Sequence, residues 1–241
     1  MSPETTVLSR PLWGHVADIA AAGSLASKAR RRRFEFFLSL LKELPRPLRI
    51  LDVGGRQKFW DRMKFAEPDG VRIVLLNLQS EPVSRADMSS VVGDARDLSR
   101  YADGEFECVF SNSVIGHVGD SDSQKQMATE VQRVGQSFFV QSPNRAFPID
   151  PNFTFPLFQF LPRSVRIGLV ARFNLGHMPR VPEPAAAAAL LDSIRLLDRR
   201  QMQRLFPDSR IYEERYCGMV KSFAAYGGTI LGGPARPKPA A

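Results

Sequence analysis

The stretch Arg49-Ile50-Leu51-Asp52-Val53-Gly54-Gly55-Arg56 constrains this chain more than any other, because it is a buried-strand pattern that runs directly into an acid and two glycines. Ile50, Leu51 and Val53 suit a strand enclosed on both faces, while glycine adopts backbone angles closed to other residues and lets a ligand approach where a side chain would block it. The segment therefore reads as the first strand of a sheet, ending beside a nucleotide-like cofactor.

Further strand patterns lie at 71–76, 105–110, 137–141, 210–216 and 220–226, with helical stretches between several of them. One helix is predicted over 24–44, stopped by Pro45 and Pro47, and another over 123–134 with Met127, Val131 and Val134 on one side. Such alternation predicts an α/β fold, a Rossmann-like and mostly parallel sheet with helices on both faces. The last two strands follow each other closely across Cys217 and Gly218, too short a link for a parallel crossover, so the last strand is expected to be reversed, at the end of the sheet. The 241 residues suit one domain over 1–231, with a helical arm at 1–45 and a substrate-side insert at about 144–195, where prolines, aromatics and an alanine run break the alternation. Packing against the sheet is the expected role of most apolar residues of that insert. The tail at 232–241 is expected to be disordered.

Composition narrows the classes. A hydrophobic fraction of 44% and a charged fraction of 24% exclude neither a core nor solubility, and no apolar run reaches the roughly 18 residues of a spanning helix. Residues 1–10 lack the apolar centre of a signal peptide, so the cytoplasm is the expected address. Cys108 and Cys217 stand apart, without CxxC spacing, and no metal site is expected. The net charge of +8 attracts phosphate-rich or anionic-surface partners. Its densest piece, Arg30 to Arg33, is followed by the stripe Phe34, Phe37, Leu38 and Leu41 and reads as the solvated start of a docking helix. No aromatic residue alternates with the arginines, so nucleic acid is not the expected partner.

In an open α/β sheet the ligand crevice lies beyond the carboxyl ends of the strands. There the sequence places Asp52, Gly54, Gly55 and Arg56, then Asn77, then Gly93-Asp94-Ala95, then Ser111-Asn112-Ser113-Val114-Ile115-Gly116-His117-Val118. The set lacks G-x-G-x-x-G and resembles class I S-adenosylmethionine-dependent methyltransferases of the group called methyltransferase type 11. The resemblance implies S-adenosylmethionine as cofactor, with Asp52, Gly54, Gly55 and Arg56 in the first motif, Asn77 at the ribose, and Asp94 and Ala95 at the adenine. Ser111 and Asn112 follow in the segment after the next strand. Pro143 to Pro151 is similar to a substrate-side loop of some members. The chain departs from the family pattern at Arg56 and Lys58, where further glycines are usual, at Asn77, where an acid is usual, and at Gly116, where a glutamate commonly precedes the histidine. Glu81 is near enough in sequence to compensate for Asn77.

Methyl transfer needs alignment and, for a hydroxyl, a base. Of His15, His117 and His177, only His117 follows a strand at the crevice, which makes it the candidate base, although a structural role for it is the stronger reading. Asn-Pro-Pro-Tyr, by which many amine methyltransferases of DNA and protein hold nitrogen, is absent. The expected activity is methyl transfer to a small or lipid-like acceptor, at oxygen. A non-catalytic S-adenosylmethionine-binding protein and an RNA methyltransferase are the alternatives. The insert's Phe153, Phe155, Phe158 and Phe160, with Arg163, Arg166 and Arg172, would suit a lipid-like acceptor or peripheral contact with a membrane surface.

Overall fold

In the computed structural model, which describes residues 25–65 and 70–233, the first helix is α1 (Leu25–Leu41). Phe34, Phe37 and Leu41 are buried at the i, i+3, i+7 spacing of one helix face. Of the arm expected at 1–45, residues 1–24, with Trp13, His15 and Val16, lie outside the described residues, as does the tail from Pro234 onward.

Seven strands follow: β1 (Leu48–Val53), β2 (Val71–Asn77), β3 (Met88–Val92), β4 (Cys108–Asn112), β5 (Ser137–Pro143), β6 (Arg210–Tyr216) and β7 (Met219–Gly228). They form one sheet in the order β3-β2-β1-β4-β5-β7-β6, with β1 to β5 parallel and β7 antiparallel to both neighbours. The last strand is reversed as the short link predicts. Its place is different: β7 lies inside the sheet, paired with β5 from Ser137↔Gly228 to Pro143↔Ser222, and β6 takes the edge. The link itself, Cys217 and Gly218 at φ 47° and 77°, has the left-handed pair of angles that suits a two-residue hairpin.

Two differences from the sequence reading concern strands. β3 was absent from it, because Met88-Ser89-Ser90-Val91-Val92 is an edge strand with one fully buried residue and no clean alternation. The strand expected at 105–110 is Cys108–Asn112, so Ser111 and Asn112 belong to the strand itself.

Pleating divides the core into two layers. Ile50, Ile73, Leu75, Phe110 and Phe139 face α1 and Trp60 of α2 (Gln57–Arg62), while Leu51, Val53, Val109 and Val140 face α3 (Ser121–Val134) and α6 (Arg199–Leu205). Trp60 sits edge-on to Phe34, at 5.6 Å between ring centroids, and to Phe65 at 5.0 Å. In the insert, α4 (Arg163–Arg172) packs on α5 (Pro184–Asp192), and Phe153, Phe158, Val170, Leu175, Ala187 and Leu191 form a third apolar cluster. This corrects the expectation that these residues pack against the sheet: helix packs on helix, and the aromatics bury one another.

Candidate functional site

Asp52 belongs to the pleat face that carries Ile50, so its side chain enters the aromatic layer. It is 1% exposed and accepts a hydrogen bond from Trp60 Nε1 at 2.7 Å. Burial pushes its carboxyl up to about 7, and the Trp60 hydrogen bond opposes that rise. A Cβ on Gly55 would fall 1.8 Å from Asp52 Oδ2, and one on Gly54, at φ 74°, would fall 2.3 Å from Val114. Both glycines are thus required by packing within the chain, and Gly54 keeps its other side open to solvent.

Two side chains fix the loop. Asn77 Nδ2 donates to the Gly55 carbonyl at 2.7 Å, and Arg56 Nε lies 3.2 Å from Glu81 Oε1. Arg56, which stands where further glycines are usual, thus has a carboxylate partner in Glu81. Beyond β3, Asp94 forms an ion pair with Arg96 Nη2 at 2.6 Å and accepts the Arg96 backbone N–H at 2.9 Å. The Arg96 guanidinium holds the Asp94 carboxyl below its usual range. Ala95 is buried.

Beside this loop, over the ends of β4, β5 and β7, lies a cavity of about 380 Å³. Arg30 and Arg33 of α1 line it, as do Arg56, Lys58 and Arg62. Asn112, Ser113 and Gln141 form its base, and Phe59, Phe147, Ile149 and Pro151 are among its apolar walls. Arg33 is buried, paired with Glu214, and donates to Asn112 Oδ1 at 2.8 Å and Ser222 Oγ at 3.3 Å. Lys221 Nζ lies 3.6 Å from Glu214 Oε1. The expectation of a wholly solvated arginine run is corrected at Arg30 and Arg33, which continue the phase of Phe34, Phe37 and Leu41 and so turn inward, while Arg31 and Arg32 face solvent.

The structure therefore places Gly54, Arg56, Asn77, Asp94 and Asn112 at or just after the carboxyl ends of β1 to β4, with Arg56 and Asn112 in the cavity lining and Gly54, Asn77 and Asp94 outside it, and encloses the side chains of Asp52, Ala95 and Ser111. The Ser111 hydroxyl donates to the Val53 carbonyl at 3.2 Å and ties β4 to β1. His117 is exposed, in the loop after β4 and outside the cavity lining; the protein around its ring lowers its pKa, against the pull of Asp150. His177 lies in the insert, outside the lining as well. Arg33, Arg62, Glu214, Lys221 and Gln141 had no motif to mark them. The helical phase of Arg30 and Arg33 was the one available signal.

Asn77 Oδ1, with its amide already used, and the Glu81 carboxylate are acceptors suited to a ribose diol, and Asp94 is an acceptor suited to an exocyclic amine. With Gly54 open beside them, the residues fit an adenosyl cofactor. No group of three or more His, Cys, Asp or Glu placed to hold a metal occurs among the described residues.

A methyltransferase domain family matches residues 60–137, from α2 to the start of β5, leaving the Asp52–Gly55 loop just before the matched segment. Among solved structures, the chain is similar to a possible exported protein from Bordetella parapertussis at 14% identity, covering 90% of this chain and 78% of that one, with a TM-score of 0.54. It is similar to the CurJ carbon methyltransferase at 12% identity over 83% of this chain and 54% of that one, and to the small RNA methyltransferase HEN1 at 14% identity over 82% and 25%, each with a TM-score of 0.51. At such identities the likeness is one of fold. No curated protein matches the sequence.

Proposed function

We propose that this chain is a class I S-adenosylmethionine-dependent methyltransferase that takes S-adenosylmethionine as cofactor and transfers its methyl group to a small or lipid-like acceptor, at an oxygen atom. The observation that carries this reading is the adjacency of two places on one sheet edge. The loops after β1, β2 and β3 present Gly54, Asn77 and Asp94, and the cavity over β4, β5 and β7 takes Arg56 from the first of those loops and Asn112 from the end of β4 beside it.

In this reading the backbone of Gly54 and Gly55 with Arg56 and Asn112 holds the amino-acid end of the cofactor, Asn77 and Glu81 the ribose, and Asp94 and Ala95 the adenine. Asp52 and Ser111 support the loop from beneath. Bound there, the cofactor supplies a methyl group on a sulfonium, open to in-line displacement. The protein's part is to align the acceptor and exclude water, which favours an enclosed cavity over a flat surface. A volume of about 380 Å³ suits a small molecule and is too small for a folded polynucleotide. The insert supplies the walls Phe147, Ile149 and Pro151 and exposes Leu157, Phe160 and Phe173, which supports an acceptor with apolar character. No helix among the described residues is long and apolar enough to cross a membrane. His117, held toward its neutral form, is the candidate base for an acceptor that must lose a proton.

Calorimetry with S-adenosylmethionine and S-adenosylhomocysteine tests the reading. Saturable binding is expected, weakened strongly by Asp94→Ala and left nearly intact by His117→Ala, whose loss shows in turnover with a labelled methyl donor. Absence of binding at millimolar ligand would overturn it.

A further inference from the structure

We infer that the acceptor carries an anionic group, a carboxylate or a phosphate, bound by the cationic lining of the cavity with its apolar part against the Phe59, Phe147 and Ile149 walls. The inference rests on the methyltransferase reading and adds the charge of the substrate to it.

Six cationic side chains line the cavity: Arg30, Arg33, Arg56, Lys58, Arg62 and Lys221. They arrive from α1, from the loop and helix after β1, and from β7, so the clustering is a product of the fold rather than of one basic run. Against them the lining holds a single carboxylate, Glu214. That carboxylate is buried, paired with Arg33 and 3.6 Å from Lys221, so it offsets only part of the charge. Arg56 has Glu81. Among the described residues neither Lys58 nor Arg62 has a carboxylate within salt-bridge distance.

The cations are partly buried and act on one another. The Arg30 guanidinium is pushed down to about 10, first by burial and then by Arg33 and Arg62, and the Lys221 ammonium is lowered by burial, with Arg33 and Arg30 adding to the effect and Glu214 opposing it. A neutral acceptor would bring no counter-charge to Lys58 and Arg62. A carboxylate or phosphate would meet guanidinium groups whose donor geometry matches it, in a partly desolvated space where such bonds are strong. The remaining walls are apolar, and the volume of about 380 Å³ limits the ligand to a small molecule. Together these describe a small amphipathic anion.

The test uses the full chain saturated with S-adenosylhomocysteine, titrated with decanoate, decyl phosphate and decanol below their aggregation concentrations. The anions are expected to bind about tenfold or more tighter than decanol, and the tighter of the two identifies carboxylate or phosphate as the natural group. Arg62→Met, on the exposed side of α2, and Lys221→Met should each weaken anion binding by about tenfold, with S-adenosylhomocysteine affinity held within about twofold; Arg62→Met carries the test if Lys221→Met does not fold. Equal affinity for decanol, anion binding unmoved by both variants, or displacement of the anion by S-adenosylhomocysteine would each overturn the inference, the last by giving the cavity to the cofactor's own carboxylate. Failure of the unvaried protein to bind S-adenosylhomocysteine is a different result, and brings down the methyltransferase reading beneath it.

Discussion

Along β1, β2 and β3, the charged residues Asp94, Arg56 and Asp52 are each answered from the loops and helix that follow those same strands. Asp94 pairs with Arg96 two residues on, Arg56 with Glu81, and Asp52 is held toward its neutral form by enclosure against Trp60. Along β4, β5 and β7, Arg33 of α1 and Lys221 of β7 meet at Glu214, which lies 181 residues from Arg33. The first half is locally neutral and shaped by glycines and one amide; the second keeps a surplus of positive charge and is shaped by a long-range ion pair. A site that takes a cofactor of fixed chemistry can be built from short-range turns, whereas selection of an acceptor by charge requires side chains that only the completed sheet brings together.

The sharpest way to break this contrast is Glu214→Leu. It would leave Arg33 enclosed beside Lys221 with no carboxylate, and uncompensated buried charge costs about 3–5 kcal/mol. Urea unfolding should show a loss of that order, with most of it recovered in the double variant Arg33→Met/Glu214→Leu, since the pair can be replaced by apolar volume. A single-variant loss below about 1 kcal/mol, the scale of an exposed pair, would mean that the ion pair does not frame the cavity.

Next in size is the response of the cofactor half to pH. The Asp52 carboxyl titrates at about 7 in the folded chain and near its ordinary, lower value when unfolded. Between those values the folded state holds a proton that the unfolded state has lost, so stability is fullest below the unfolded value and declines as pH rises through about 7. The slope approaches ~1.4 kcal/mol per pH unit. Denaturant unfolding across that window should show the decline, and Asp52→Asn should flatten it. Equal slopes in the two proteins would show that Asp52 ionises freely and that the layer around Trp60 does not enclose it.

The same contrast governs what could be read from the sequence. The first half was legible because strand, acid and glycines are consecutive, and the departures Asn77 and Arg56 could be named before their partners Gly55 and Glu81 were known. What the sequence hid was direction: Asp52 looks like a ligand in the motif, yet the pleat turns it into the aromatic layer with Ile50. Most of the parallel sheet was legible from apolar runs. β3 was not, since an edge strand paired on one side needs no apolar alternation, and the inward position of β7 depends on its pairing along β5, a long-range fact. The cavity was least legible. Glu214 and Lys221 resemble the solvated charges of any edge hairpin, and only the helical phase of Arg30 and Arg33 pointed inward.

A smaller effect is expected at Asn77. Replacing it by alanine removes the hydrogen bond to the Gly55 carbonyl, a loss of about 1 kcal/mol in stability, and frees the loop proposed to hold the cofactor. Calorimetry should show S-adenosylhomocysteine affinity falling several-fold while decanoate affinity is unchanged. A fall in both would mean that the two halves move as one, against the contrast drawn above.

Arg56 gives the smallest stability change and the finest test, because it stands on the border between the halves. Its side chain is 72% exposed and its bond to Glu81 is a surface pair, so Arg56→Ala should change stability by no more than about 0.5 kcal/mol. Its position, however, touches both functions: it follows Gly55 in the loop and lines the cavity. The affinities for S-adenosylhomocysteine and for decanoate should therefore both fall by a similar few-fold, with the decanoate loss shrinking as salt screens the field that Arg56 shares with Lys58 and Arg62. A loss confined to S-adenosylhomocysteine would place the border on the cavity side of Arg56, and a loss confined to decanoate would place it on the cofactor side. In the second case the arginine standing where the family has a glycine would be a device for the acceptor, and the loop would hold the cofactor through Gly54, Gly55 and Asn77 without it.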